Sequence, residues 1–147
     1  SWNDAGTPAF LREREVATVL TPHDGEYGTL MGARPGDDRI AAAQSLVDLT
    51  GACVVLKGPT TVVAAPGTVP ALVMSGDERL ATAGTGDVLA GIVAALVAQG
   101  LNAADAALAG AFLHGRAVHR CDRYGVVAGD LVDQLPATIA DLFDECS

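Results

Sequence analysis

The sequence lacks the surplus of basic residues that nucleic acid binding requires. It contains 9 lysines and arginines against 18 aspartates and glutamates, which gives a net charge of −9. A phosphate backbone is bound by a clustered basic face, so we expect no nucleic acid partner. An acidic protein can still bind a single nucleotide, since backbone N–H dipoles, one lysine or a metal ion can offset a few phosphates.

Cysteines are also scarce and widely spaced. The three residues, Cys53, Cys121 and Cys146, are an odd number and include no close pair. This pattern argues against a disulfide framework and against a zinc cluster. We therefore expect three reduced thiols.

Long apolar runs are absent as well. The longest, residues 88–98, is broken by Gly91, and a bilayer span needs roughly 18 or more apolar residues. The first residues of the chain lack the basic and apolar regions of a secretory signal. We therefore expect a cytoplasmic protein with no membrane partner.

What the sequence does contain is enough apolar material for one globular domain. It has 147 residues, of which 50% are hydrophobic. Helices are predicted at residues 8–15, 26–31, 37–49, 88–99, 103–122 and 131–145, and strands at 16–20, 53–56, 61–65 and 68–74. The helix at 88–99 is rich in small residues, which predicts close packing on every side. The order of elements predicts an α/β layer fold in which helices pack on a sheet with parallel central strands.

Turn and cap residues mark several of these boundaries. Pro66 and Gly67 predict a hairpin turn between the last two strands. Gly51 predicts a helix C-cap and Asn102 a helix N-cap. Pro136 predicts an interruption of the last helix.

The first candidate site is a glycine turn, Gly84-Thr85-Gly86-Asp87, directly before the helix at 88–99. Unpaired N–H groups and the positive end of the helix dipole converge there on an anion, and glycine lets a phosphate approach without a Cβ in the way. An ordinary turn with Asp87 or Thr85 as the helix N-cap accounts for the same residues equally well. No Gly-Lys-Ser/Thr follows the turn, so it is not a Walker-type loop.

Asp87 favours the functional interpretation, because an anion site avoids a carboxylate unless the carboxylate has a role. In phosphoryl transfer, an aspartate beside the transferred group can orient a substrate hydroxyl or take its proton. The N–H groups of the turn then stabilise the charge that develops on the phosphate.

Polar residues follow two other predicted strands. Lys57 directly follows the apolar strand at 53–56, and His23 and Glu26 follow the strand at 16–20. Ligands of open α/β sheets collect at such carboxyl ends. Each residue also has a structural alternative. Lys57 would be a solvated lysine in a hairpin, His23 would hydrogen-bond the backbone, and Glu26 would be a charge in the first turn of the next helix.

The other two histidines do not form a metal site. His114 and His119 are five positions apart on a predicted helix, so they miss the i, i+4 spacing of a metal-binding pair. We interpret both as structural and predict no metal centre made by the protein.

Three segments in this order give the chain a specific resemblance. They are TPHDGE at 21–26, LKGPTT at 56–61 and ATAGTGDVLAG at 81–91. Together with the spacing of the tail, they resemble the NAD(P)H-hydrate dehydratases, a branch of the ribokinase-like superfamily. The likeness covers nearly the whole chain.

The resemblance implies a fold and a reaction. The fold is a ribokinase-like three-layer α/β fold with a central, mostly parallel sheet flanked by helices. The reaction is nucleotide repair by a lyase that removes water from hydrated NADH or NADPH and consumes ADP, typically in bacteria, or ATP, typically in eukaryotes. The substrate hydroxyl is phosphorylated and phosphate is then lost, and the other product is AMP or ADP. Mg²⁺ is the implied companion of the nucleotide.

The resemblance also assigns roles to residues. It makes Asp87 the catalytic carboxylate at the substrate hydroxyl and places His23 against the hydrated nucleotide. The implied adenine nucleotide site comprises Lys57, Gly58, Pro59, Thr60, Thr61, Gly84, Thr85 and Gly86. Two positions depart from the family pattern, which usually has Pro where Asp24 stands and Ala where Pro59 stands. Pro59 removes one backbone N–H from the nucleotide loop.

A complete domain of this family is longer than this chain. The resemblance makes residues 1–147 the C-terminal part of one such domain, without its N-terminal half. We expect the chain to pair with that half, because an uncovered sheet edge favours association. A homo-oligomer, a tetramer in the family, is also implied. Two alternatives stay open, a ribokinase-like sugar or vitamin-precursor kinase and a non-catalytic nucleotide-binding fragment.

Overall fold

Six α-helices and four short strands make up the described part of the protein. The computed structural model describes residues 7–145. The helices are α1 (Thr7–Arg12), α2 (Asp24–Met31), α3 (Arg39–Thr50), α4 (Thr85–Ala98), α5 (Ala103–Val118) and α6 (Ala128–Glu145). The strands are β1 (Val19–Leu20), β2 (Cys53–Leu56), β3 (Thr61–Ala64) and β4 (Ala71–Val73). A short 3-10 helix, Glu78–Ala81, lies between β4 and α4.

The four strands form one sheet in the order β1-β2-β3-β4. β1 runs parallel to β2, whereas β3 is antiparallel to both β2 and β4. These strands therefore form a mixed sheet and not the mostly parallel one that was expected. The reason is that short turns join β2 to β3 and β3 to β4, and strands joined by a tight turn reverse direction. The second turn is the hairpin predicted at Pro66 and Gly67, where Gly67 has a φ of 71°.

Helices cover both faces of the sheet and give three layers, as expected. The side chains of β2 alternate between the two faces. Val54 and Leu56 pack in one cluster with α2 and α3, while Cys53 and Val55 pack in another with α4 and α5. All four are buried, as is typical of a strand covered on both sides. Leu131 of α6 is completely buried against α5.

Most predicted elements occur, with shifted ends. Gly51 is the C-cap of α3 with a φ of 69°, and the Asn102 side chain accepts from the Asp105 amide at 2.9 Å to cap α5, so both predicted caps are confirmed. β1 is shorter than the predicted 16–20, because only Val19 and Leu20 find parallel partners in β2.

The last helix runs through Pro136 without the predicted interruption. A proline inside a helix removes one N–H donor and leaves one carbonyl without its partner. Pro136 is exposed, so water can reach that carbonyl and the helix continues.

Against the described residues, α4 is packed on one side only. Its buried residues are Thr85, Leu89, Ile92 and Val93. An exposed face, which we call the alanine face, consists of Ala90, Gly91, Ala94, Ala95 and Ala98. Within the described residues, the prediction of close packing on every side is therefore wrong for this face.

Two further predictions concern reduced thiols and the lack of a membrane-spanning helix. Cys53 and Cys121 are free thiols, whereas Cys146 lies outside the described residues. Burial raises the pKa of the Cys53 thiol to about 11. Between residues 7 and 145, every helix is too short or too polar to cross a bilayer.

Candidate active site at the carboxyl ends of the strands

The structure brings the three sequence segments together at one edge of the sheet. Because β1 and β2 are parallel, the residues that follow them leave the sheet on the same side. The Lys57 amide donates to the Pro22 carbonyl at 2.8 Å, which fixes the first two segments to each other. A Cβ built on Gly86 would lie 2.8 Å from Lys57 Nζ, so the lysine reaches the glycine turn as well.

Lys57 provides the positive charge of this site. Its side chain is 24% exposed, and Nζ lies 3.7 Å from Glu26 Oε2. The same carboxylate oxygen lies 3.6 Å from His23 Nε2. His23, Glu26, Lys57 and Gly86 therefore form one continuous row from α2 to α4.

The two ring nitrogens of His23 have different environments. Nδ1 accepts from the amides of Gly25 and Glu26, at 3.0 and 3.1 Å, and so caps α2. Glu26 completes a capping box by accepting from the His23 amide at 2.8 Å. The structural alternative is thus realised at Nδ1, while 58% of the side chain is exposed. An imidazole whose Nδ1 accepts carries its proton on Nε2, so a ligand would meet the Nε2 edge.

The glycine turn forms the N-terminus of α4. Gly84 is the N-cap, with a φ of 87°, and within residues 7–145 no side chain caps the helix. The alternative in which Asp87 or Thr85 is the cap is therefore not realised. The Gly86 amide has no acceptor among residues 7–145, and Asp87 is exposed. An open amide at the positive end of a helix, beside a lysine ammonium, is suited to bind a phosphate.

Hydrogen bonds of the buried residues Thr85 and His114 fix the side of the glycine turn that faces the protein interior. Thr85 Oγ1 donates to the carbonyls of Leu80, at 2.6 Å, and Thr82, at 2.8 Å. His114 Nε2 donates to the Thr85 carbonyl at 2.8 Å, since a carbonyl can only accept. Burial lowers the pKa of His114, the hydrogen bond to Thr85 opposes this, and the charge of Lys57 lowers it further. Thr85 therefore shapes the turn and offers a ligand only its backbone.

Arg39 supports the site, and the sequence analysis missed it. Its Nη1 donates to Asp24 Oδ1 at 2.9 Å and its Nη2 to the Lys57 carbonyl at 2.8 Å. A Cβ on Gly58 would overlap the guanidinium. Asp24, which departs from the family pattern, is thus paired with Arg39. The guanidinium leaves no room for a side chain at position 58, so a glycine is needed there whether or not a nucleotide binds. From the sequence alone, an arginine at the start of a helix cannot be distinguished from a solvated surface charge.

A second missed arginine fixes the segment before the turn. Arg79 donates to the Asp77 carboxylate at 2.7 Å and to the carbonyls of Cys121 and Asp122 at 3.1 and 3.2 Å. The hydrogen bond from Arg79 lowers the pKa of Asp77. The 3-10 helix that contains Arg79 also contains the Leu80 carbonyl, which accepts a hydrogen bond from the Thr85 hydroxyl. The contacts of Arg79 therefore stabilise the buried side of the glycine turn.

The other residues of the predicted nucleotide loop lie in the turn between β2 and β3. Gly58 and Pro59 are exposed, Thr60 is half-buried, and Thr61 begins β3. They adjoin Lys57 along the chain. Lys57 is the member of this segment that reaches the glycine turn.

The site is an open surface. Gly84 and Asp87 are exposed, and two cavities, of about 550 and 930 Å³, are lined by other residues.

His119 hydrogen-bonds to the Ser75 carbonyl through Nε2 at 2.7 Å, so its contact is with the backbone, as that of His114 is. In the described part of the chain, no group of three or more His, Cys, Asp or Glu side chains could hold a metal ion.

Known proteins are similar to this chain in sequence and in fold. The chain is 50% identical over 113 residues to the bifunctional NAD(P)H-hydrate repair enzyme Nnr of Mycobacterium leprae, with 77% of this chain and 24% of that protein covered. It is 45% identical over 121 residues to the ADP-dependent (S)-NAD(P)H-hydrate dehydratase of Neisseria meningitidis, with 80% of this chain and 41% of that protein covered. The chain therefore spans less than half the length of these relatives.

A solved structure confirms the architecture. The ADP/ATP-dependent NAD(P)H-hydrate dehydratase from Bacillus subtilis, co-crystallized with ATP/Mg²⁺, matches with a TM-score of 0.81 and 29% identity over 88% of this chain and 49% of that one. The family model described as NAD(P)H-hydrate dehydratase matches residues 4–140. Since that match covers the sheet, the glycine turn and most of the helices, the chain belongs to the NAD(P)H-hydrate dehydratase family.

Proposed function

We propose that this chain provides the phosphate-handling part of an ADP- or ATP-dependent NAD(P)H-hydrate dehydratase. The observation that carries the proposal is the position of the Lys57 ammonium over Gly86, at the open N-terminus of α4. A glycine turn alone is equally well a helix cap. A lysine from another strand end beside it supplies the charge that a phosphate needs, and any side chain at position 86 would displace that charge.

Each residue of the site has a role in the proposed reaction. Asp87 receives the proton of the substrate hydroxyl while that oxygen bonds to the terminal phosphorus of the nucleotide, and AMP or ADP leaves. The Gly86 amide and Lys57 stabilise the charge on the transferred phosphoryl group. The carbon–oxygen bond of the phosphorylated hydrate then breaks, phosphate takes the electron pair, and a proton leaves the adjoining carbon to restore the double bond.

We assign the nucleotide to the lysine side of the site and the hydrate to the histidine side. Lys57, Gly84 and Gly86 would hold phosphates, and Thr85 would contribute only its backbone. The hairpin residues Gly58, Pro59, Thr60 and Thr61 would border the rest of the nucleotide. His23 would present its Nε2 edge to the hydrate, because its Nδ1 is already engaged with α2.

Mg²⁺ fits this site only as a companion of the nucleotide. Residues 7–145 contain no cluster of three ligating side chains, and Mg²⁺ is commonly held by one or two carboxylates together with substrate phosphates and water. Asp87 is the exposed carboxylate placed to contribute. When bound, the ion would offset phosphate charge.

We further propose that another segment completes the pocket. The glycine turn is open, the alanine face of α4 is exposed, and β1 lies at the edge of the described sheet. All three features suit pairing with the N-terminal half of a family domain. A homo-oligomer, implied as a tetramer by the resemblance, stays a prediction.

The Asp87→Ala substitution in the whole protein tests the proposed reaction. With hydrated NADH and ADP or ATP as substrates, we expect turnover to fall by at least about 100-fold, while calorimetry shows nucleotide binding retained. Asp133→Ala, which removes an exposed carboxylate from α6, is the matched control and should leave turnover unchanged. Wild-type rates in the Asp87 variant would remove this residue from the mechanism.

Product analysis separates the dehydratase from a kinase of the same fold. Restored NADH together with AMP or ADP and free phosphate supports the dehydratase. A stable phosphorylated sugar or vitamin precursor would contradict it. Nucleotide binding with no turnover of either kind by the whole protein would indicate a non-catalytic binding protein.

A further inference from the structure

We propose that Glu26 is a positioning residue for Lys57, whose ammonium it holds over Gly86. The Oε2 atom of Glu26 lies 3.7 Å from Lys57 Nζ, and a Cβ on Gly86 would lie 2.8 Å from the same nitrogen. The ammonium is therefore located between a carboxylate of α2 and the N-terminus of α4. This inference rests on the proposed function, because it assigns the residue that prepares Lys57 for a phosphate.

The main chain of Lys57 is fixed without the help of Glu26. Its amide donates to the Pro22 carbonyl at 2.8 Å, and its carbonyl accepts from Arg39 Nη2 at 2.8 Å. These bonds leave the side chain free, and its long, flexible stem has several rotatable bonds. Within residues 7–145, the ion pair that fixes the end of this side chain is the one with the Glu26 carboxylate.

Glu26 differs from an ordinary surface partner because its carboxylate is already fixed. Oε2 accepts from the His23 amide at 2.8 Å, as part of the capping box of α2. Most exposed ion pairs contribute little, since two flexible side chains must both be ordered. Here the start of the helix orders one of the two, so only the lysine loses freedom when the pair forms.

A lysine that Glu26 does not hold has a second carboxylate close by. Asp87 follows Gly86 directly in the chain and is exposed, and it is the proposed acceptor of the hydroxyl proton. An ammonium paired with Asp87 would occupy the carboxylate that the substrate hydroxyl needs. By holding the lysine on the side of α2, Glu26 leaves Asp87 free for the substrate.

The negative charge of Glu26 should affect binding and turnover in opposite directions. Because this carboxylate lies beside the ammonium, it lowers the attraction of the site for a phosphate. An ammonium that is held in place before the reaction nevertheless stabilises the charge that develops on the transferred phosphoryl group. A residue with a structural role only would not separate these two effects.

Glu26→Gln in the whole protein tests this separation. Glutamine keeps the capping box but carries no charge, so α2 should be retained. We expect the turnover number for hydrated NADH to fall by at least about tenfold, while the KM for ADP or ATP stays the same or decreases. Glu145→Gln is the matched control, since it removes the carboxylate of another exposed ion pair, with Arg116, and it should change neither constant.

Chemical labelling of Lys57 gives a readout that does not depend on turnover. Lys57 is the only lysine among these 147 residues, and peptide mass spectrometry of the whole protein follows its acetylation by acetic anhydride. Without nucleotide, labelling should be at least about twofold faster in Glu26→Gln, because the ammonium is no longer held against the turn. ADP should protect Lys57 of the wild-type protein, which tests the proposed nucleotide site separately.

These outcomes distinguish the role of Glu26 from the proposed function. An equal labelling rate or an unchanged turnover number in Glu26→Gln would overturn the role of Glu26. Faster labelling of the variant, without protection of Lys57 by ADP, would uphold the contact and contradict the proposed nucleotide site. If Glu26→Gln fails to fold, Glu26→Asp decides, because it keeps the charge on a shorter side chain; wild-type labelling and turnover in that variant would count against the contact.

Discussion

Small residues decide the geometry of this site as much as charged ones do. Gly84 adopts a φ of 87° to start α4 without a side-chain cap. Gly86 leaves the space that the Lys57 ammonium occupies. The proposed chemistry of the turn therefore depends on two missing side chains and on one lysine that comes from a different strand end.

Gly86→Ala should separate activity from stability. The nearest neighbour of the added methyl is the end of a flexible lysine, so the free energy of unfolding should change by less than about 1 kcal/mol. The methyl and the ammonium cannot share one position, so hydrate turnover should fall by at least about 100-fold. Urea unfolding and an assay of NADH formation measure the two effects.

Gly129→Ala is the control for this substitution. Gly129 is the second residue of α6, as Gly86 is of α4, and a Cβ there would meet nothing within 4 Å. Its turnover should stay at the wild-type rate. Normal turnover in Gly86→Ala as well would show that no phosphate binds at the turn.

Protonation of His114 should make stability depend on pH. Burial lowers the pKa of His114 below its ordinary value of 6.5, so the unfolded chain takes up this proton first as the pH falls. The contribution of neutral His114 is complete above the ordinary pKa and decreases below it, by up to about 1.4 kcal/mol per pH unit until the folded-state pKa is reached. Urea unfolding at several pH values between about 7.5 and 5.5 measures this slope.

His114→Gln provides the comparison for that slope. Glutamine can still donate to the Thr85 carbonyl but does not titrate. We expect the variant to lose stability less steeply over the same pH range. Equal slopes for the two proteins would assign the pH dependence to other groups.

The site residues that sequence reasoning found and missed differ in how they act. Lys57 and Gly86 lie in compact motifs directly after a strand and before a helix, so local spacing marked them as candidates, and the family resemblance implied their roles. Arg39 and Arg79 act by donating to carbonyls 18 and 42 positions away along the chain. Such contacts exist only after folding and leave no local pattern in the sequence.

At the scale of elements, hydrogen bonds connect each turn of the site to a helix that contributes no predicted binding residue. Arg39 connects α3 to Asp24 of α2 and to the Lys57 carbonyl, and His114 connects α5 to the glycine turn. The two helix layers on opposite faces of the sheet thus hold one site between them. The site should therefore be sensitive to substitutions that never contact a ligand.

Arg39→Met tests the first of these ties. It leaves the Asp24 carboxylate and the Lys57 carbonyl without their donor, and we expect the free energy of unfolding to fall by about 2 kcal/mol. Arg120→Met is the control, since Arg120 forms an exposed ion pair with Asp141, and such pairs contribute less than about 1 kcal/mol. Urea unfolding compares the two, and equal losses would mean that Arg39 is only a surface charge.

The elements also show where local patterns are sufficient. β2 occurs at its predicted bounds because an unbroken apolar run covered on both faces is a strong local signal. β1 is limited to two residues by the register of its partner, which residues 16–20 cannot specify by themselves. In α4, small residues predicted contact on every side, but composition alone does not say whether the partner lies within the same chain.

At the scale of the whole molecule, three exposed features of the described residues concern the proposed completing segment. They are the alanine face, the open glycine turn and the β1 edge. β1 and β4 are at opposite ends of the strand order.

Ala94→Arg tests the completing contact through the middle of the alanine face. Ala94 is exposed on α4, so an arginine there overlaps none of the residues that the structure describes. In the whole protein, a close contact between small residues has no room for an arginine, and we expect hydrate turnover to fall by at least about tenfold. Ala140→Arg, at an exposed alanine of α6, should have no effect. Full turnover in the Ala94 variant would show that the alanine face stays in solvent, and the completing segment would then have to reach the site from the β1 edge alone.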